Sequence, residues 1–352
     1  MQTKRVKTKR RLGQTSIYTP PIIFGTSCLG NLYESISYDT KLSIISEWFE
    51  WVESPVVIDT AGKYGAGLAL EMIGKGLVDL QIDEDKILIS NKLGWIRTDL
   101  KGPEPSFEPG VWADLENDAI QKISYRGILE CYEQGLELMG GKYKSEIVSV
   151  HDPDEYLAAA SSPADREKRF EDIIQAYQAL GELKSKGQVK AVGVGAKDWT
   201  VIRELTGRIQ MDWVMFSVSF TIMNQPPELL KFIEDLTRAG TGVINSAVFH
   251  SGFLTGGAFY DYRKVSPEIE EDKPLFKWRE NFYKTCEEFQ VKPFEACVAF
   301  GMSPPGVVSI AMNTSKPSRI KDNAMSVIAE IPNEFWKAMK SANLISSNYK
   351  YL

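Results

Sequence analysis

The sequence contains only two histidines and four cysteines in 352 residues, and this scarcity narrows the chemistry. The cysteines are Cys28, Cys131, Cys286 and Cys297, and none belongs to a C-x-x-C pair. Neither a zinc site nor a dithiol redox motif is therefore indicated. We expect all four thiols to be buried and inert, in a reduced, cytoplasmic compartment.

Long hydrophobic runs and excess positive charge are also missing. No run approaches the roughly 18 apolar residues that a membrane span needs. The net charge of −6 argues against nucleic acid or an anionic membrane as the main partner. One basic run, MQTKRVKTKRR at residues 1–11, could be a nucleic-acid arm or a targeting segment, but we expect a solvated, frayed chain end. No apolar stretch follows it, as a secretory signal would require.

Several common catalytic motifs are absent. There is no Walker-type loop, no HExxH and no G-x-S-x-G. The segment GVGAKDW (193–199) begins like a dinucleotide-binding loop, but Asp198 occupies the third glycine position. His250 beside Ser251 is expected to be a surface residue, and HDPDE (151–155) predicts the start of a loop and not a metal site.

Apolar runs that are typical of buried strands alternate with helical periodicity along almost the whole chain. This alternation predicts βαβ units, and with eight runs it predicts one closed (β/α)8 TIM barrel over residues 1–352. The N-terminal segment RRLGQTSIYTP is expected to form a hairpin that plugs the barrel. The predicted strands are 21–27, 56–61, 86–92, 146–151, 190–195, 212–219, 242–248 and 307–312.

Two of the connections that follow strands, 93–123 and 250–274, are much longer than usual. Both would overhang the face of the barrel where catalytic groups gather. Their aromatic residues argue against disordered insertions, because aromatic side chains favour burial. We expect these loops to shape a substrate or cofactor site.

Four reactive side chains occur at or just beyond the ends of neighbouring predicted strands. Asp59 ends the second strand and Tyr64 lies in the turn after it, while Lys92 and His151 end the third and fourth. A free tyrosine has a pKa of about 10, and a nearby ammonium favours the phenolate. These four residues, called the tetrad below, therefore predict a proton-transfer site at the carboxyl ends of the strands.

Together these residues resemble the aldo-keto reductase superfamily, from RRLG near the N-terminus to RIKDN near the C-terminus. DTAGKYGAGLALEMIGKGL, ISNKLG and VSVHDPDE resemble the segments that carry the family's Asp, Tyr, Lys and His. Other segments, among them GTSCLGNLY, KAVGVGAKDW and VINSAVFHSGFLTGG, resemble the aldose 1-dehydrogenase branch. That branch includes L-fucose, D-threo-aldose and L-galactose dehydrogenases and pyridoxal 4-dehydrogenase.

The resemblance implies an NAD(P)-dependent oxidoreductase in which Tyr64 carries the proton, Lys92 and Asp59 support it, and His151 orients the reacting oxygen. The substrate would be a free aldose of the L-fucose, L-galactose or D-arabinose type, oxidised at C1 to the lactone. The implied cofactor-binding residues are Gly25, Thr26, Asp59, Asn245, Ser246, Ser251, Gly252, Leu254, Asn313, Thr314, Arg319, Asp322 and Asn323. The implied substrate-binding residues are Cys28, Tyr33, Trp95 and Trp112.

Departures from the family pattern bear on the cofactor. Many members carry a lysine for the 2′-phosphate of NADP where this chain has Asn313, which favours NAD, although Arg319 could still bind a phosphate. Two alternatives remain beside the sugar dehydrogenase: an NADPH-dependent aldehyde or ketone reductase, and a non-catalytic subunit that binds the dinucleotide. The sequence does not indicate the oligomeric state.

Overall fold

The computed structural model describes residues 5–261 and 263–352. Its strands are β1 (Arg10–Arg11), β2 (Tyr18–Thr19), β3 (Ile22–Gly25), β4 (Val56–Ala61), β5 (Ile87–Leu93), β6 (Trp95–Asp99), β7 (Asn117–Gln121), β8 (Ser145–His151), β9 (Ala191–Ala196), β10 (Trp213–Ser217), β11 (Gly242–Ser246), β12 (Phe259–Tyr260), β13 (Arg263–Lys264) and β14 (Val307–Met312). Its α-helices are α1 (Tyr38–Trp51), α2 (Leu68–Asp79), α3 (Tyr125–Leu138), α4 (Pro153–Ala158), α5 (Pro163–Ser185), α6 (Trp199–Thr206), α7 (Pro227–Ala239), α8 (Lys273–Glu288), α9 (Pro293–Gly301), α10 (Ile320–Ser326) and α11 (Asn333–Ser341).

Eight parallel strands close into a barrel in the order β3, β4, β5, β8, β9, β10, β11 and β14, and β14 pairs with β3 to complete the ring. These are the eight runs predicted from the sequence, and their ends differ by at most two residues. Every residue of β4, β9, β11 and β14 is buried, because helices cover the outside and side chains fill the inside. The prediction of a (β/α)8 barrel is therefore confirmed.

The N-terminal hairpin of β1 and β2 closes the end of the barrel where the strands begin. Leu12 and Ile17 pack against Ile23, Val57 and Trp213 in the barrel interior. The hairpin predicted as a plug is therefore present, and it leaves the opposite end available for a site.

A close contact inside the barrel explains why residue 193 is a glycine. A Cβ atom at Gly193 would lie 2.4 Å from the indole ring of Trp213 on the neighbouring strand. The missing side chain in β9 lets this large ring fill the barrel interior, where it is fully buried.

The expected frayed chain end is wrong from residue 5 onwards, while residues 1–4 of the basic run lie outside the described part. Val6 is buried, its amide donates to the carbonyl of Trp51 at 2.8 Å, and its carbonyl accepts from Glu53 at 2.9 Å. The segment is held against the end of α1 because an apolar residue interrupts the run of charges.

Both long connections contain secondary structure. The first folds into the antiparallel hairpin of β6 and β7, and the second contains a 3-10 turn, Phe253–Thr255, and the short pair of β12 and β13. Both leave the end of the barrel where the strands finish. No helix among the described residues has both the length and the apolar character to cross a membrane.

Candidate active site

The carboxyl ends of three adjacent strands bring the tetrad together. In the barrel register Ala61 pairs with Lys92, Lys92 with Ser149, and His151 with Gly195. Tyr64 lies in the turn after β4, where its amide donates to the carbonyl of Ala61 at 3.1 Å. All four tetrad side chains line one cavity at this end of the barrel.

Asp59 and Lys92 form a buried ion pair in the floor of this cavity. Each side chain is only 5% exposed, and the ammonium binds one carboxylate oxygen of Asp59. The other oxygen accepts a hydrogen bond from the hydroxyl of Ser90 at 3.3 Å. Burial alone would lower the pKa of Lys92, but the charge of Asp59 and the Tyr64 hydroxyl outweigh it and raise that pKa. Lys92 therefore stays charged at neutral pH.

Tyr64 lies between Lys92 and His151. The ammonium of Lys92 is 4.9 Å from the centre of the Tyr64 ring, and the ring meets the His151 ring edge-on at 5.7 Å. Burial, together with the charges of Lys92 and Lys63, lowers the pKa of His151 well below its usual value of 6.5. The imidazole is therefore neutral at pH 7, and one of its nitrogens carries no proton.

A narrow approach brings the next strand against this ion pair. A Cβ atom at Gly195, at the end of β9, would lie 3.3 Å from Cδ of Lys92. The glycine leaves the lysine stem room to cross the floor of the barrel towards Asp59.

The cavity has a volume of about 940 Å³, which is at the upper end of the range for cofactor sites. It runs from the tetrad to the segment after β14. The predicted cofactor residues that line it are Gly25, Thr26, Asp59, Ser246, Ser251, Gly252, Asn313, Thr314, Arg319, Asp322 and Asn323. A Cβ atom at Gly25 would lie 3.2 Å from that of Asn313, so the glycine keeps the passage between β3 and β14 open. The volume and the polar lining fit a nicotinamide dinucleotide, which these residues would hold.

Two predicted cofactor residues lie outside the cavity. The side-chain amide of Asn245 donates to the carbonyls of Phe220 at 2.9 Å and Gly301 at 3.0 Å, so it ties β11 to its neighbours. Leu254 is fully buried in the hydrophobic core. The prediction that their side chains bind the cofactor therefore has no support from the geometry, because both point into the protein interior.

Three of the four predicted substrate residues line the cavity. Cys28 is buried, and burial raises the pKa of its thiol to about 12, which makes it inert at neutral pH. Tyr33 stacks on Phe259 at 5.3 Å, so the turn after β3 meets the loop after β11. Trp112 lies 6.0 Å from the Tyr64 ring, but Trp95 lies outside the cavity and packs on Phe107.

The second histidine differs from the sequence expectation. His250 is fully buried, with Nε2 2.7 Å from the hydroxyl of Thr221 and Nδ1 2.8 Å from the carboxylate of Asp261. Its ring stacks on Tyr260 at 4.5 Å. The prediction of a surface histidine is wrong because these partners come from segments that the sequence does not show to be close.

A charged cluster beside the tetrad was not identified from the sequence. Lys63, which immediately precedes Tyr64, is buried, and its ammonium contacts Glu108 at 2.8 Å, Asp152 at 3.2 Å and Glu155 at 3.0 Å. Lys197 binds the other oxygen of Glu155 at 2.5 Å. The position of Lys63 next to the predicted proton carrier was the one signal that could have indicated it. We call these five residues the Lys63 cluster.

A family model described as "Aldo/keto reductase family" matches residues 21–344. The chain belongs to the aldo/keto reductase family. Pyridoxal 4-dehydrogenase from Microbacterium luteolum is 24% identical, with 96% of this chain and 98% of that protein covered. D-threo-aldose 1-dehydrogenase from a Pseudomonas species is also 24% identical, over 93% and 94%. These similarities confirm the resemblance to the aldose dehydrogenase branch.

Solved structures of the family share this fold. An aldo-keto reductase from Bacillus halodurans, in its holo form, superposes with a TM-score of 0.68 at 18% identity, covering 97% of this chain and 98% of that one. The aldo/keto reductase described here is accordingly an oxidoreductase of a family that uses nicotinamide cofactors.

Proposed function

We propose that this aldo/keto reductase oxidises a free aldose at C1 to the lactone, with Tyr64 as the proton carrier. The observation that supports this most strongly is the meeting of Tyr64, Lys92 and His151 in one cavity with Asp59. The similarity to relatives that are named aldose and pyridoxal dehydrogenases supports the direction of the reaction.

In this proposal the residues share the proton and the reacting oxygen. The hydroxyl at C1 donates its proton to Tyr64, and neutral His151 orients the same oxygen through Nε2. The hydrogen on C1 leaves with its electron pair, so the carbon is oxidised to the lactone while the dinucleotide is reduced. A bound nicotinamide supplies the hydride acceptor, and the protein supplies placement and charge.

Lys92 and Asp59 hold the charge balance of this step. The Lys92 ammonium, which Asp59 keeps in place, stabilises the phenolate of Tyr64, which is the form that can accept the proton. The low pKa of His151 keeps a positive charge off the imidazole beside Lys92.

We also propose NAD as the preferred cofactor. Asn313 is neutral, and its amide donates to Ser27 at 2.9 Å beside Gly25. Nearby, the carboxylate of Glu34 accepts a hydrogen bond from Ser315 at 2.7 Å. A carboxylate on this side of the cavity would repel a 2′-phosphate, and Arg319 is the cation that opposes this effect.

A panel of free aldoses, including L-fucose, L-galactose and D-arabinose, tests the reaction with NAD and with NADP. We expect reduced dinucleotide to form with at least one aldose, and faster with NAD. If no aldose is oxidised while simple aldehydes are reduced, the dehydrogenase assignment fails in favour of a carbonyl reductase.

Tyr64→Phe tests the proton carrier separately. Loss of the hydroxyl removes general acid–base help, so turnover should fall by about a hundred- to ten-thousand-fold. Cofactor affinity, measured by quenching of tryptophan fluorescence, should stay close to that of the wild type. An unchanged turnover rate would exclude Tyr64 from this role.

A further inference from the structure

We propose that Asp152, held in place by Lys63, is a specificity-determining residue that accepts a hydrogen bond from the hydroxyl next to the reacting carbon of the substrate. The proposal extends the proposed function, because it identifies which feature of a sugar the site would recognise. It begins from the Lys63 cluster, in which three carboxylates face two ammonium groups.

Lys63 lines the cavity, but its ammonium is already occupied by carboxylates of the protein. Its side chain is 4% exposed and lies over the ring of Trp95 at 5.1 Å. An ammonium has three donors, and three carboxylates lie within 3.2 Å of it. A lysine that is buried in this way keeps its charge only because these partners are present, and their charges raise its pKa against the effect of burial.

Asp152 is the member of the cluster that combines burial with a vacant acceptor. It is 7% exposed and lines the cavity, and its Oδ2 atom lies 3.2 Å from Lys63 and 3.4 Å from Nε2 of His151. Its Oδ1 atom accepts no hydrogen bond from any residue within 5–261 or 263–352. Because Asp152 lines the cavity, this oxygen is available to a donor that a substrate brings.

The backbone of Asp152 supports this reading. It adopts the left-handed conformation, with φ 47° and ψ 52°, immediately before α4 begins at Pro153. Aspartate tolerates this region better than most residues. Its amide donates to the carbonyl of Gly195 at 3.2 Å, which fixes the turn against β9. The carboxylate is thereby held at the end of the barrel beside the tetrad.

The distances around Asp152 indicate which group of the substrate it would bind. His151 Nε2 is the group expected to meet the reacting oxygen, and Asp152 lies directly beside it. Oxygens on neighbouring carbons of a sugar also lie about a hydrogen bond apart. A substrate whose C1 oxygen meets His151 can therefore present its C2 hydroxyl to Asp152. Hydrogen bonds to a charged acceptor are stronger than neutral ones, whereas an aldehyde without this hydroxyl would leave the carboxylate unpaired.

The test compares pairs of substrates that differ only at this hydroxyl, in the full-length protein. D-arabinose and 2-deoxy-D-ribose form the oxidation pair, and glyceraldehyde and 3-hydroxypropionaldehyde form the reduction pair. We expect kcat/KM to be roughly tenfold or more higher for the hydroxylated member of each pair. Asp152→Asn should remove most of this preference, mainly by slowing the hydroxylated substrate, and Lys63→Met should do the same.

Glu155→Gln is the matched control. It removes one carboxylate from the same cluster, but Glu155 does not line the cavity, so the preference for the hydroxylated substrate should persist. Cofactor affinity of Asp152→Asn should match the wild type, while its unfolding midpoint should be lower because buried Lys63 loses one of its three carboxylate partners.

Equal rates for glyceraldehyde and 3-hydroxypropionaldehyde in the wild type, or equal slowing of both by Asp152→Asn, would overturn the proposal. If D-arabinose is not oxidised but the glyceraldehyde preference is present and depends on Asp152, only the sugar dehydrogenase assignment fails.

Discussion

Replacing Lys92 by methionine leaves the carboxylate of Asp59 buried without its cation. Both side chains are 5% exposed, and Ser90 at 3.3 Å is the remaining side chain in the described structure that donates to the carboxylate of Asp59. Removing one partner of a buried ion pair typically costs about 3–5 kcal/mol, because the other charge is left uncompensated. We expect Lys92→Met to lower the free energy of unfolding by an amount in this range.

Removing both charges separates this effect from simple loss of packing. In the double variant Asp59→Asn/Lys92→Met no buried charge remains, and replacing a buried pair by neutral groups is often close to neutral in stability. The double variant should therefore recover much of the stability that Lys92→Met loses. A double-mutant cycle from equilibrium urea unfolding, followed by tryptophan fluorescence, measures the coupling between the two residues.

An exposed pair provides the matched control. Lys75 and Asp79 lie one helical turn apart on the surface of α2, 2.6 Å from each other. Lys75→Met should leave the urea midpoint almost unchanged, because exposed pairs contribute little. The reasoning is refuted if Lys92→Met costs less than about 1 kcal/mol, as an exposed pair would, or if the two single effects simply add in the double variant.

Two further predictions concern the cofactor and the histidine. Asn313→Lys should raise the affinity for NADP relative to NAD by roughly ten- to a hundredfold, because a hydrogen bond between the lysine and the 2′-phosphate would join two charged groups. An unchanged ratio of dissociation constants would mean that residue 313 does not face the 2′ position. The lowered pKa of His151 means that below about pH 6.5 the unfolded chain binds more protons than the native state, so the stability of the wild type should fall as the pH decreases. The stability of His151→Asn should fall less over the same pH range, by up to about 1.4 kcal/mol per pH unit. Unfolding curves at about pH 7.5 and 5.5 measure this difference, and equal shifts in the two proteins would contradict the low pKa of His151.

The barrel could be predicted because its strands have a local pattern. A strand that is buried on both faces must be apolar almost throughout, as Val56–Ala61 and Val307–Met312 are, so each strand is visible without knowledge of its neighbours. The tetrad was predicted for the same reason. Asp59, Lys92 and His151 lie in the carboxyl-terminal halves of such runs, and parallel strands bring their carboxyl ends to one face.

Helix ends were less predictable because competing caps lie close together in the sequence. Ser37, Asp39 and Thr40 are all residue types that cap helices, but in α1 the hydroxyl of Ser37 accepts from the amide of Thr40 at 3.2 Å and the helix starts at Tyr38. In α5 the start at Pro163 follows the cap at Ser162, seven residues before the apolar periodicity becomes visible at Phe170. Polar first turns carry no periodicity, so the cap alone marks them.

Contacts between loops could not be predicted, and His250 shows why. Its partners are Thr221, in the connection after β10, and Asp261, in the loop between β12 and β13. Neither pairing follows a helical or strand period, so the local sequence does not indicate the partners that let this histidine be buried. The burial of His250 follows only from the barrel, which places these connections side by side.

The Lys63 cluster is the clearest example of a feature that only the folded chain reveals. Lysine is almost never buried unless it is paired, and the carboxylates that pair with Lys63 come from the loop between β6 and β7, from the residue after β8 and from α4. Asp152 and Glu155 share the HDPDE segment, but no local pattern joins that segment to Lys63 or to Glu108. The closed barrel brings the three acids together around Lys63, and the burial of this lysine beside Tyr64 therefore follows from the fold and not from the local sequence.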